Sequence, residues 1–101
     1  MKKVITYIIL GCGSGLTYEE KITQYNKLVS SADSLSEVED YNQIILTTTE
    51  AIKITDTLSQ AFIQRAEANL SLNNLKDARK DFSKAIKIDG ETSIAYKGRA
   101  I

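Results

Sequence analysis

Few residues in this chain could do chemistry. Its one cysteine, Cys12, stands in the run Gly11-Cys12-Gly13-Ser14-Gly15. A thiol there could accept a covalent group, and the glycines would let backbone amides come close to a nucleotide-like ligand. The chain has no histidine. Neither a Ser/His nor a Cys/His pair can form, and the commonest general acid–base group and metal ligand is missing. A single cysteine cannot close an internal disulfide. Pairs of aspartate and glutamate exist, but helical spacing sets them on opposite or solvated faces. Lys76, Lys80, Lys84 and Lys87 form a basic stripe, which Asp77 and Asp81 dilute. A single-stranded nucleic-acid site would want exposed aromatics interleaved with such a stripe, so it reads as a solvated face. This inventory offers no catalytic, cofactor-binding or metal site, and the expected function is non-catalytic.

The elements that carry these residues fit in one small domain. At 101 residues the chain can bury only a modest core. Formal net charge is zero with 26% charged residues, unlike a strongly basic nucleic-acid domain. The absence of proline suits a chain that is mostly helix. Charge is unevenly spread: residues 17–58 hold three lysines against eight acids, and residues 59–101 hold eight bases against five acids. Solvated helix faces that attract one another when stacked account for this.

The first residues form a separate unit. Met1-Lys2-Lys3 is basic, and Val4 to Leu10 is apolar except for Thr6. Such a segment has the plan of a secretory signal and is too short to span a bilayer. Ile9-Leu10-Gly11-Cys12 resembles the bacterial lipobox, although Ile9 replaces the usual leucine and Leu10 the usual small residue. The resemblance implies a signal peptide over 1–11, lipidation at Cys12, a tether over 12–16, and a place in the bacterial cell envelope, lipid-anchored or periplasmic. The membrane would be met only through that lipid. The alternative is a cytoplasmic protein with an uncleaved apolar N-terminus. The glycine run also resembles the first motif of S-adenosylmethionine-dependent methyltransferases. That motif requires a βαβ setting and a later acidic residue, and the sequence downstream reads as helix, so a methyltransferase fragment is the weakest alternative.

Helical periodicity dominates from residue 17. Thr17-Tyr18-Glu19-Glu20 is a capping box, followed by Ile22, Tyr25, Leu28, Val29, Ala32 and Leu35 at helical spacing. Ser34-Leu35-Ser36-Glu37 breaks that run, and Ser36 with the acids after it suits the start of a second helix. That helix carries Thr47-Thr48-Thr49, which taken alone could be a strand. A third runs from about 59 to 72, Asn73-Asn74 marks a turn, and a fourth runs from about 75 to 88. Asp89-Gly90 stops it, and a fifth begins near Thr92.

Two stretches recur thirty-four residues apart. Ala51-Ile52-Lys53-Ile54 returns as Ala85-Ile86-Lys87-Ile88, and Ala32, Ala66 and Ala100 fall in one column. A fixed period of this length belongs to solenoid arrays, and here it overrides the local strand signal of the threonines. Phe62, Ala66, Ala78, Phe82 and Ala85 resemble the aromatic, small, A-x3-F and second small positions of a tetratricopeptide repeat. Gly90 stands where that family usually has proline. Leu28, Ala32, Tyr41, Ile44, Thr48 and Ala51 fill the same slots one period earlier, where Ile44 and Thr48 depart from A-x3-F, and Tyr96 with Ala100 begins a third unit. The resemblance covers about three quarters of the chain. It implies an all-α module over 17–101 of antiparallel helix pairs stacked as a short superhelix, with repeats 25–58 and 59–92 and a partial repeat 93–101. The alanines and aromatics would then be packing positions. It further implies a protein or peptide partner held in a concave groove whose candidates are Gln60, Ile63, Gln64, Glu67, Leu70 and, from the third unit, Lys97. Some family members clamp a C-terminal carboxylate there with lysine, asparagine and arginine. Only Lys97 fits that set, so a carboxylate clamp is not expected.

Overall fold

The computed structural model describes residues 16–89. The expected signal segment, Cys12, and the third-unit residues Tyr96, Lys97 and Ala100 lie outside them. Four helices follow one another: α1 (Tyr18–Glu37), α2 (Tyr41–Ile54), α3 (Gln60–Ser71) and α4 (Leu75–Ile88). The fold is all-α, with no strand among the described residues. Among those residues no helix is long and apolar enough to cross a membrane.

The capping box opens α1 as expected: the Glu20 amide donates to Thr17 Oγ1 at 3.1 Å and the Thr17 amide to Glu20 Oε1 at 3.0 Å. Its end differs from expectation. The helix continues through Ser34–Glu37, and Ser36 caps nothing, because its hydroxyl donates back to the Asp33 carbonyl at 2.6 Å. Asp40 caps α2 instead, accepting from the Gln43 amide at 3.3 Å.

The turn between α1 and α2 reappears, thirty-four residues on, between α3 and α4. Glu39 has φ 58° and Asn73 has φ 66°. The Asp40 amide reaches the Leu35 carbonyl at 3.2 Å, and the Asn74 amide reaches the Asn69 carbonyl at 2.7 Å. This is a six-to-one closure with a left-handed residue just past the helix, which satisfies carbonyls the helix leaves orphaned.

α1 and α2 are antiparallel. Ala32, near the end of α1, packs with Ile44, near the start of α2, and Tyr25 packs with Ala51 at the opposite ends. α3 and α4 pair the same way through Phe62, Ile63, Ala66, Ala78, Phe82 and Ala85. The two pairs stack so that α1 and α3 run parallel, with Tyr25 near Ala61 and Ala32 near Ala68. Alanine recurs at these contacts because it lets helix axes approach; Ala32, Ala51, Ala61, Ala66, Ala78 and Ala85 are all buried. Thr48, where the repeat pattern expects an aromatic, is fully buried and gives its hydroxyl to the Ile44 carbonyl at 2.7 Å. Back-bonding of this kind lets a β-branched hydroxyl sit inside a helical core.

Candidate functional site

α3 is the central helix, and its faces are divided among three neighbours. Ala61 and Ala68, seven residues apart, meet α1 and α2, while Phe62, Ile63 and Ala66 meet α4. Its start borrows a cap from α1. Ser59 makes no side-chain cap, and the Ala61 amide donates to the Tyr25 hydroxyl at 2.9 Å. Tyr25 is 2% exposed, and burial pushes its phenol above the ordinary value, the Ala61 amide opposing.

On the far side of α3 from this contact, Arg65 ties three helices together. Its Nε and Nη2 donate to the two Asp81 oxygens of α4 at 2.8 and 2.9 Å, and its Nη1 donates to Thr49 Oγ1 of α2 at 3.0 Å. The guanidinium carbon also stands 5.8 Å from the centre of the Phe62 ring. The Asp81 hydrogen bonds hold the Arg65 guanidinium above its ordinary value against the opposing cost of burial. These groups satisfy one another, so their place in the fold is a structural clamp.

The expected groove residues separate in the structure. Gln60 is exposed at the start of α3. Ile63 requires a correction: it is only 9% exposed and belongs to the core between α3 and α4. Leu70 is half-buried against the same core. Ile63 and Leu70 are seven residues apart, on the edge of the stripe that carries Phe62 and Ala66, and α4 covers that edge. Gln64 is also buried, at 7% exposure. Its Nε2 donates across to α1, to the Val29 carbonyl at 3.1 Å and to Asp33 Oδ1 at 2.8 Å. Glu67 stays exposed.

Between α1 and α3 lies a cleft of about 100 Å³. Its floor is apolar, from Ala32, Ile44 and Ala68, and its polar wall includes Asp33, Gln64 and Glu67. Although Glu67 is exposed overall, burial first and the Asp33 charge second push its carboxyl above the ordinary value. The Gln64 Oε1 atom is buried and has no hydrogen-bond partner among the described residues. Asp33 is the residue here that helical spacing alone did not single out. Its signal is its position three residues before Ser36 on the face that carries Val29 and Ala32, but nothing in its own helix shows that a glutamine thirty-one residues on will meet it.

The remaining concavities are of other kinds. One of about 260 Å³ is built around Arg65, Asp77, Lys80 and Asp81 and contains the clamp. Another is a shallow depression on α4 between Lys76, Arg79, Lys80 and Ser83. It carries the start of the basic stripe, whose Lys84 and Lys87 are also exposed. Among the described residues no group of three or more cysteine, aspartate or glutamate side chains is placed to hold a metal ion. No protein-family model matches the chain, and no curated protein or solved structure is detectably similar to it.

Proposed function

We propose that this chain is a non-catalytic binding scaffold of tetratricopeptide type that holds a protein or peptide partner along the groove between its first helices, α1 and α3. The observation that carries the reading is the agreement of two periods. The alanine and aromatic positions recur every thirty-four residues in the sequence, and the helix ends and turn hydrogen bonds recur at the same interval. A helix pair of this kind cannot bury its apolar face alone, and stacking on the next pair completes the core. Such arrays leave one continuous surface of parallel helices, which suits extended or helical peptides.

The test is affinity for peptides. The full chain is panned against a displayed random-peptide library, and enriched sequences are resynthesised for fluorescence anisotropy. Dissociation constants in the micromolar range or weaker are expected, since so short an array offers little interface area. Failure to enrich any sequence over a bare-matrix control would sink the scaffold reading.

The same proposal puts the protein at the bacterial cell envelope, with Cys12 lipidated after removal of the signal segment. Two features support it: the basic and apolar order of residues 1–10 and the position of Cys12 directly after them. Expressed in a bacterium, the protein then partitions into detergent, and Cys12→Ser abolishes the partitioning. A soluble product whose intact mass still includes Met1 rules this part out.

A further inference from the structure

We infer that the cleft between α1 and α3 receives the ammonium group of a lysine side chain from the partner. The inference rests on the scaffold reading and assigns a chemical preference to its groove. Three acceptors converge at the cleft: the orphaned Gln64 Oε1, the Asp33 carboxylate and the Glu67 carboxylate. Asp33 gives one oxygen to Gln64 Nε2, which leaves the other available. No basic side chain lines the cleft among the described residues.

The orientation of the Gln64 amide is fixed by its neighbours. Nε2 faces a carbonyl and a carboxylate, both acceptors. The reverse orientation would set Oε1 against those same two acceptors, a repulsive arrangement. The oxygen therefore stays on the unpartnered side. A buried acceptor without a donor loses its hydration and gains nothing in return, so it favours any donor that can reach it. The two carboxylates add a second pressure. Their mutual repulsion contributes to the upward push on Glu67, and a cation between them relieves it.

A lysine side chain fits these demands together. Its ammonium has three donors for three acceptors and no acceptor of its own. Its methylene stem suits the floor of Ala32, Ile44 and Ala68. A cleft of about 100 Å³ takes the head and the last methylenes and no whole residue, so the peptide backbone runs above it along the helices. An acidic side chain would meet Asp33 and Glu67 and be rejected.

The experiment is a nuclear magnetic resonance titration of the uniformly nitrogen-labelled full chain. The probes are three capped tripeptides, alanine–X–alanine with X as lysine, norleucine or glutamate. The lysine peptide is expected to shift the Gln64 side-chain amide and the Ala68 and Ser71 backbone amides, with saturation in the millimolar range. Norleucine should bind at least tenfold more weakly, and glutamate should not move these signals. Glu67→Gln, which keeps the side-chain shape, should weaken the lysine peptide several-fold. Raising the ionic strength should weaken it too, since part of the attraction is exposed to solvent. Equal binding of lysine and norleucine overturns the inference. So does an unshifted Gln64 signal at saturating lysine peptide, which would mean that the cleft holds only water. The library panning separates the two levels. Enriched peptides without a recurring lysine defeat this inference and leave the scaffold reading standing, whereas a library with no enriched peptide defeats the scaffold reading itself.

Discussion

Replacing Asp81 by alanine should cost this small fold a large part of its stability. Asp81 has a 9% exposed side chain and Arg65 a 23% exposed one. Breaking a fully buried ion pair from one side costs about 3–5 kcal/mol, because the remaining charge stays desolvated. Breaking an exposed pair costs about 0–1 kcal/mol. The Arg65–Asp81 pair lies near the buried end of this range. Arg65 keeps its bond to Thr49 and its place by the Phe62 ring in the variant, and some water reaches it, so the expected loss is about 2–3 kcal/mol. A unit of about 70 residues has a total stability of about 4–11 kcal/mol. With a urea slope near 1 kcal/mol/M, the midpoint should fall by about 2–3 M. The control is the pair of Lys53 and Glu50, 3.6 Å apart with side chains 70% and 62% exposed; Glu50→Ala should barely move the midpoint. The double variant Arg65→Met with Asp81→Leu should recover most of the loss, since apolar replacements remove both buried charges at once. Equal shifts for Asp81→Ala and Glu50→Ala, or a double variant no better than the single one, would refute the reasoning.

Tyr25→Phe should destabilise by about 1–2 kcal/mol in the same urea titration, because it strands the Ala61 amide at the start of α3. Ala66→Leu should cost about 1–3 kcal/mol through overpacking between α3 and α4, while Lys80→Leu on the exposed face should be nearly neutral in a thermal melt. Glu67 sets a pH dependence. Its folded carboxyl lies above the ordinary value, so the folded state binds more protons there than the unfolded one. Its contribution therefore favours the fold more below its ordinary pKa and less as pH rises through the folded value. Glu67→Gln should flatten that slope, and an unchanged difference between pH 4 and pH 7 stability would count against the cause given. Glu39→Gly should stabilise by up to about 1 kcal/mol, since glycine takes the left-handed turn conformation without the Cβ penalty; loss of stability on calorimetry would show that the Glu39 side chain matters more than its backbone.

Much of the fold was legible because it is written in local spacing. The capping box of Thr17 and Glu20, the turn at Asn73 and the four helices all follow from patterns within a few residues. The threonine run of α2 resolves as helix through the thirty-four-residue recurrence, a signal of longer range but still visible in one dimension. The boundary at Ser36 was less legible, since Ser36 and Asp40 both have the chemistry of a cap. The α1 backbone decides it: the helix runs on to Glu37 and the Ser36 hydroxyl turns back onto it.

The site was less legible than the fold for a related reason. Spacing within α3 tells which residues share a face, but it does not tell how many neighbours cover that face. Ile63 looked free as a groove residue and is core because α4 lies against it. Gln64 looked available for a peptide and spends both its amide protons on α1. The sequence alone determined the all-helical class, the order of the helices and the interval at which their contacts repeat, because helix periodicity and capping are properties of a few consecutive residues. Only the tertiary structure decided that Asp33, Gln64 and Glu67 share one cleft and that Arg65 clamps Asp81. Those groups are sixteen or thirty-one residues apart along the chain, and what joins them is the stacking of one helix pair on the next, which brings side chains together across helices that no local pattern connects.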